Sequence, residues 1–237
     1  MKRVHIWDLP TRLFHWLLAF AILAAYVTGQ IGGNYIVWHG RIGLFIVGLV
    51  AFRLVWGFIG APTARFASFV RGFGAIRAYL AGRWHGVGHN PLGALSVLAL
   101  LGLVGAQAVS GLFANDDISF QGPLAGLVSE AASARLTALH ELLQNVLLGV
   151  VGLHLAAIVF YVRIKRDNLV RPMLTGWKEL GPGLEAQAPS TVARAGRLRP
   201  LAFGVALALA VASVYAAAGG WLAEVPASPA PAAAPGW

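Results

Sequence analysis

A chain of 237 residues that is 58% hydrophobic and 11% charged, with a mean hydropathy of +0.70, has too few polar side chains to cover a soluble globule and reads as an integral membrane protein. Cysteine is absent, which excludes disulfides, thiolate metal sites, iron–sulfur clusters and haem attached through C-x-x-C-H. A net charge of +9 would suit a nucleic-acid binder, but on so apolar a chain it fits basic loops along one membrane face, so lipid and not nucleic acid is the expected surrounding.

Five apolar stretches reach the roughly 20 residues that cross a bilayer, at 13–31, 37–59, 91–113, 138–162 and 200–223. The first follows a basic start, as a secretory signal would, but a histidine at its beginning and the lack of a small-residue cleavage site favour a retained span. Between the second and third, Arg65, Arg71, Arg77 and Arg83 recur every six residues, which is not a helical spacing. Residues 75–81 there are expected to form a short helix on the membrane surface. The stretch 114–137 carries Asp116, Asp117 and Glu130. From 226 to 237 the chain is rich in Pro and Ala and is expected to be a flexible extension. The organisation expected is a transmembrane bundle over 1–180, a basic linker over 181–199, an additional helix over 200–223 and a tail over 224–237.

With the N-terminus in the cytoplasm, Lys2, Arg3, Arg12, Arg65, Arg71, Arg77, Arg83, Arg163, Lys165, Arg166, Arg171, Lys178, Arg194, Arg197 and Arg199 gather inside, fifteen of the eighteen basic residues. Arg41 and Arg135 fall outside and Arg53 lies within the second span. This bias predicts a cytoplasmic N-terminus and a C-terminus on the outer side.

Four histidines stand in the spans: His15 near the start of the first, His39 near the start of the second, and His140 and His154 in the fourth. Fourteen residues of helix return to within about 40° of the starting direction and advance about 21 Å, so His140 and His154 share a face at two depths. Histidine in hydrocarbon is costly unless partnered. Alternating crossings put His15 and His154 at the inner depth and His39 and His140 at the outer. Two depth-matched pairs on facing helices suit two haem irons, each with both axial positions filled, which favours electron transfer over chemistry at iron. Helix-bridging hydrogen bonds are the plainer alternative. A non-haem metal site is disfavoured because no carboxylate or thiolate accompanies these histidines in the spans.

Arg12, Arg41 and Arg53 are candidates to meet haem propionates or to line the interface. Arg53, deep in the second span, otherwise needs to snorkel. Gly40, Gly43, Gly48, Gly149 and Gly152 would let helices or a porphyrin plane approach, or serve ordinary helix packing. His5, His85 and His89 are read as surface or interfacial residues, with His89 the one most open to another role.

The opening Val4-His5-Ile6-Trp7-Asp8-Leu9-Pro10-Thr11-Arg12-Leu13-Phe14-His15-Trp16, the stretch Gly88-His89-Asn90-Pro91-Leu92-Gly93-Ala94, Ser110-Gly111-Leu112-Phe113 with Gly122-Pro123-Leu124, and Asn168-Leu169-Val170-Arg171-Pro172-Met173-Leu174-Thr175-Gly176 resemble the bacterial cytochrome b561 and nickel–iron hydrogenase cytochrome b subunit family, over about residues 1–180. The resemblance implies an all-α membrane four-helix bundle holding two haem b groups through His15, His39, His140 and His154, here with a fifth C-terminal transmembrane helix outside the pattern. It also implies electron transfer between the quinone pool and a protein partner: a hydrogenase or dehydrogenase subunit, or a periplasmic c-type cytochrome.

The expected function is therefore a di-haem membrane cytochrome b, a respiratory-chain electron carrier working alone, as a homo-oligomer or in a hetero-complex. Quinone chemistry couples protons to electrons, which makes Asp116, Asp117 and Glu141 outside, or Asp8 and His89 inside, candidate proton groups. The alternative is a membrane anchor or assembly subunit whose haems are mainly structural. A transporter is disfavoured, since broken apolar segments with internal carboxylates are missing.

Overall fold

Asp8 starts the first helix. Its carboxylate accepts from the Thr11 amide at 3.1 Å, Pro10 takes a first-turn position where no amide is needed, and α1 runs Leu9–Ile31 until Gly32, at φ +65°, turns the chain. The computed structural model describes residues 2–84, 88–118, 120–180 and 199–222. After α1 come α2 (Ile36–Ile59), two short helices α3 (Phe66–Phe69) and α4 (Phe73–Leu80), α5 (Pro91–Leu112), α6 (Glu130–Arg163), α7 (Val170–Thr175) and α8 (Pro200–Ala217). Asn90 and Ser129 cap α5 and α6 by accepting from Gly93 and Ala132 amides at 2.7 and 3.3 Å.

Five of these helices, α1, α2, α5, α6 and α8, are long and apolar enough to cross a membrane. The protein is a multi-pass membrane helical bundle. Three span boundaries differ clearly from expectation, one of them the end of the last helix, at Ala217 and not at 223. The fourth helix begins at Glu130 and not at 138, because the Ser129 cap and the helix-forming Glu130-Ala131-Ala132 carry it beyond the apolar stretch. The first begins at Leu9 for the same reason, its cap lying ahead of the hydrophobic run. Between spans two and three, where a short helix is expected over 75–81, the helix runs Phe73–Leu80.

The fold is not purely helical. Strands β1 (Lys2–His5) and β2 (Trp177–Leu180) pair antiparallel, Lys2 opposite Leu180 and His5 opposite Trp177, in a two-stranded ribbon that defines one end of the bundle. Arg3 and Arg171 both reach Glu179, at 3.3 and 3.2 Å. The opposite end carries the loop 113–129.

Packing runs α1 on α2, α2 on α5 and α5 on α6, an arc whose core holds Ala21, Ile46, Leu49, Val50, Leu101, Val104 and Leu147. Its two ends, α1 and α6, are not among the closely packed pairs. They are joined instead at the ribbon end. There Gly176 oxygen accepts from the Ile6 and Trp7 amides at 2.8 and 3.3 Å, Trp16 Nε1 donates to Met173 oxygen at 3.2 Å, and Arg12 donates to Leu174 oxygen. Gly176 has φ +86°, and a Cβ on it would lie 2.8 Å from Trp7 oxygen, so only glycine fits this clasp. A Gly176→Val protein should lose about 2 kcal/mol or more and show faster amide exchange at Ile6 and Trp7, with the α2–α5 core amides unchanged.

Helix α8 lies against α2. Ala206 and Ala210 are buried there, and a Cβ on Gly48 would stand 2.8 Å from Val214 Cγ2, so the contact depends on small residues. At its start Arg199 donates to Ile59 and Gly60 oxygens at 2.9 and 3.1 Å, satisfying carbonyls at the C-terminal end of α2. Replacing Gly48 with Leu should overpack this seam, costing about 1–3 kcal/mol, and lower the thermal midpoint in detergent while leaving the His39–His140 contact, nine residues away along α2, in place.

Candidate functional site

At the loop end, His39 of α2 and His140 of α6 face each other with ring centroids 6.0 Å apart and planes at 84°. Each ring is held from behind. His39 Nδ1 lies 2.8 Å from Ala25 oxygen, and His140 Nδ1 lies 2.8 Å from Gln107 oxygen. A carbonyl only accepts, so both Nδ1 atoms carry the proton and both Nε2 atoms keep a lone pair for a metal. Glycines make the room: a Cβ on Gly29 would sit 2.9 Å from His39 Nδ1, and one on Gly111 would sit 2.8 Å from His140 Cε1. Ser110 Oγ adds a contact to His140 Nδ1 at 3.3 Å. Phe120 folds over the pair, edge-on to His39 at 6.4 Å and against Gly40.

At the ribbon end, His15 of α1 and His154 of α6 lie within electrostatic reach of each other. Their setting differs. His15 Nδ1 is buried with no hydrogen-bond partner among the described residues, and His154 Nδ1 has Ser96 Oγ at 3.5 Å. Trp16, edge-on to His15 at 5.1 Å, ties this part of α1 to the clasp.

The three arginines occupy unlike places. Arg53 is only 3% exposed, its guanidinium 4.8 Å over the Phe66 ring and its Nη1 without a partner among the described residues. It does not snorkel. Arg12 gives one N–H to Leu174 oxygen and keeps a buried Nε without a partner among the described residues. Arg41 is exposed at the loop end, 5.1 Å over Trp38.

His89, the histidine outside the spans most open to another role, is half-buried, its ring between Trp7 and Phe69 at 4.4 and 4.5 Å, with Gly88 at φ +103° turning the chain just ahead of the Asn90 cap. Burial, and next the charge of Arg53, push its pKa down to about 3. An unfolded imidazole protonates near 6.5, so acidification below that value favours the unfolded chain. His5 packs edge-on to Trp177 at 4.9 Å, while His85, residues 181–198 of the expected linker and the expected tail lie outside the described residues.

Candidate proton groups also separate. Asp8 is 4% exposed with both oxygens engaged, by the Thr11 amide and by Trp56 Nε1 at 2.8 Å. Asp116 Oδ1 accepts from Ile118 and Phe120 amides and so shapes the loop that brings Phe120 over His39. Glu141 is exposed beside His140. Of the glycines expected to open space, Gly40 and Gly48 receive Phe120 and Val214, while Gly43, Gly149 and Gly152 face open space. An apolar groove of about 710 Å³ between α2, α3 and α5, lined by Leu54, Phe66, Leu98 and Gly102, contains none of these histidines.

A family model described as prokaryotic cytochrome b561 matches residues 6–176. The chain belongs to that family. No curated protein and no solved structure matches it. Membership makes this cytochrome b561 relative a membrane b-type cytochrome of electron transfer, with b-type haem as its prosthetic group. The donor set fits that group. A porphyrin supplies four nitrogens and leaves two axial positions, and the histidines meet in twos; among the described residues no group of three or more His, Asp or Glu converges. A 6.0 Å separation of rings is on the order of what two metal–nitrogen bonds of about 2 Å and two ring radii span. The matched segment ends at Gly176, so α8 lies outside the cytochrome b561 pattern.

The supports of these histidines were not foreseen from sequence. Ala25 and Gln107 act through backbone carbonyls, which carry no side-chain signature. Gly29 and Ser96 stand in no motif. Ser110 and Gly111 were part of the resembling stretch, but nothing in their spacing pointed to His140.

Proposed function

We propose that the protein is a di-haem b-type cytochrome of a bacterial inner membrane, carrying electrons across the bilayer between the quinone pool and a protein redox partner. The observation that carries this reading is the presence of two histidine pairs at opposite ends of one bundle, with His39 and His140 6.0 Å apart and His15 near His154. In it His15 and His154 would hold the haem at the ribbon end, and His39 and His140 the one at the loop end. When bound, each haem alternates between ferric and ferrous iron and so carries one electron.

The chain's own groups do the rest. The Ala25 and Gln107 carbonyls hold the tautomer and direction of His39 and His140, while the clasp holds α1 to the chain following α6. Arg12 and Arg53, with buried N–H groups that have no partner among the described residues, suit the carboxylates of the ribbon-end haem, and Arg41 suits those of the other. Charge bias supports a cytoplasmic ribbon end and N-terminus, with the loop end and C-terminus periplasmic. A partner such as a c-type cytochrome, or a hydrogenase or dehydrogenase subunit, would then meet the 113–129 loop. The unit over 1–180 carries the haems, followed by the basic linker 181–199, the helix within 200–223 and the tail 224–237.

Two measurements test this on purified protein: haem b per chain by pyridine haemochrome, and reduction by a short-chain quinol. Two haems reduced by the quinol are expected. No haem, or haem that quinol leaves oxidised, sinks respectively the cytochrome reading or its quinone link.

A further inference from the structure

We infer that the groove where the C-terminal end of α2 meets the start of α8 holds one anionic phospholipid, its phosphate against Arg65 and Arg199 and an acyl chain along the apolar wall beside them. The site lies apart from the histidine pairs, and half of it is built by α8, beyond the segment 6–176 that the family model matches.

The arginines supply the charge. Arg65 Nε donates to Gly60 oxygen at 3.0 Å, and Arg199 Nη1 donates to the same oxygen at 3.1 Å and to Ile59 oxygen at 2.9 Å. One carbonyl thus draws two guanidiniums together. Neither forms an ion pair among the described residues, so their mutual repulsion is offset only by the partial negative charge at the end of a helix. Each arginine engages a single nitrogen in these bonds. Both Nη groups of Arg65, and the Nε and Nη2 of Arg199, have no hydrogen-bond partner among the described residues, and such forked N–H donors match the oxygens of a phosphate.

The groove supplies the apolar half. It measures about 700 Å³ and is walled by Phe58, Ile59, Leu201 and Val205, all exposed. Its floor is firm, because Ala202 packs on the buried cluster of Trp56, Ala61, Ala64 and Ala206. One span ends at Ile59 and the other begins at Pro200, so the arginines stand where hydrocarbon gives way to headgroups. Val205, five residues into α8, lies about 7.5 Å deeper. Cationic donors at the interface with apolar surface below them follow the amphipathic order of a phospholipid. A zwitterionic headgroup would bring a cation of its own to the two arginines, whereas an anionic one does not. A soluble anion would leave the apolar wall unused.

Native mass spectrometry of the purified full chain, released from micelles holding phosphatidylglycerol and phosphatidylcholine in equal amounts, tests the assignment. Wild type should retain one phosphatidylglycerol per chain and little phosphatidylcholine. Arg65→Gln and Arg199→Gln should each weaken that retention about fivefold. Arg77→Gln, at an exposed arginine outside the groove, should leave it unchanged. Because both groove arginines also hold the end of α2, Leu201→Glu serves where those variants fail to fold: it keeps their bonds to Gly60, and its carboxylate should expel the lipid. Equal retention of the two lipids, an equal loss in Arg77→Gln, or phosphatidylglycerol still held by Leu201→Glu overturns the inference. Inorganic phosphate bound in place of lipid overturns it too, by assigning the arginines to a free anion. None of these outcomes depends on the haems, so the site stands or falls separately from the electron-transfer reading.

Discussion

Alanine at His39 or at His140 is expected to leave one haem b per chain where wild type holds two, and alanine at His15 or at His154 to leave the other one. Within each pair the two single variants should share the same residual spectrum, because one missing axial ligand opens the same iron. The double variant His39→Ala with His140→Ala should match its parents, whereas His39→Ala with His15→Ala should bind none. Haem content by pyridine haemochrome, with low-temperature spectra of the α band, reads all of these. Unequal spectra within a pair would refute the pairing, since His140 and His154 share one helix and differ only in which neighbour they meet.

Asp8→Ala carries the largest expected loss of stability outside the ligands. This side chain caps α1, accepts from Trp56 Nε1 and is the carboxylate that balances buried Arg53. Removing it forfeits a cap worth about 1 kcal/mol and leaves both an indole N–H and a guanidinium without their acidic neighbour, together on the order of 2–4 kcal/mol. Asp8→Asn separates the contributions. Its carbonyl can still accept from the Thr11 amide, so most of the remaining loss reports the charge. Thermal midpoints of the detergent-solubilised variants measure both, and a stability equal to wild type in Asp8→Ala would show that the cluster around Arg53 is compensated some other way.

The membrane class, the five spans and the helix boundaries within a few residues were legible in the chain, because a bilayer demands about 20 apolar residues per crossing whatever the neighbours do. Where boundaries missed, as at Glu130, a polar cap and helix-forming residues extended a helix beyond its hydrophobic part. The histidine spacing was legible too: helix periodicity alone puts His140 and His154 on one face, and alternating crossings assign depths to His15 and His39. What His89 packs against was not legible, because its surroundings are decided by one left-handed glycine and two aromatic rings brought from other elements, Trp7 and Phe69.

By itself, then, the sequence determined that this chain is a helical membrane protein with four intramembrane histidines at two depths, since hydropathy and helical period are local properties. Only the tertiary structure decided that His39 meets His140 at 6.0 Å, that the Ala25 and Gln107 carbonyls hold these rings while His15 Nδ1 lacks a partner among the described residues, that Arg53 is buried, and that a β-ribbon clasps the ends of the arc. These depend on backbone carbonyls, missing Cβ atoms and contacts between residues far apart in the chain, which acquire a position only when the helices pack.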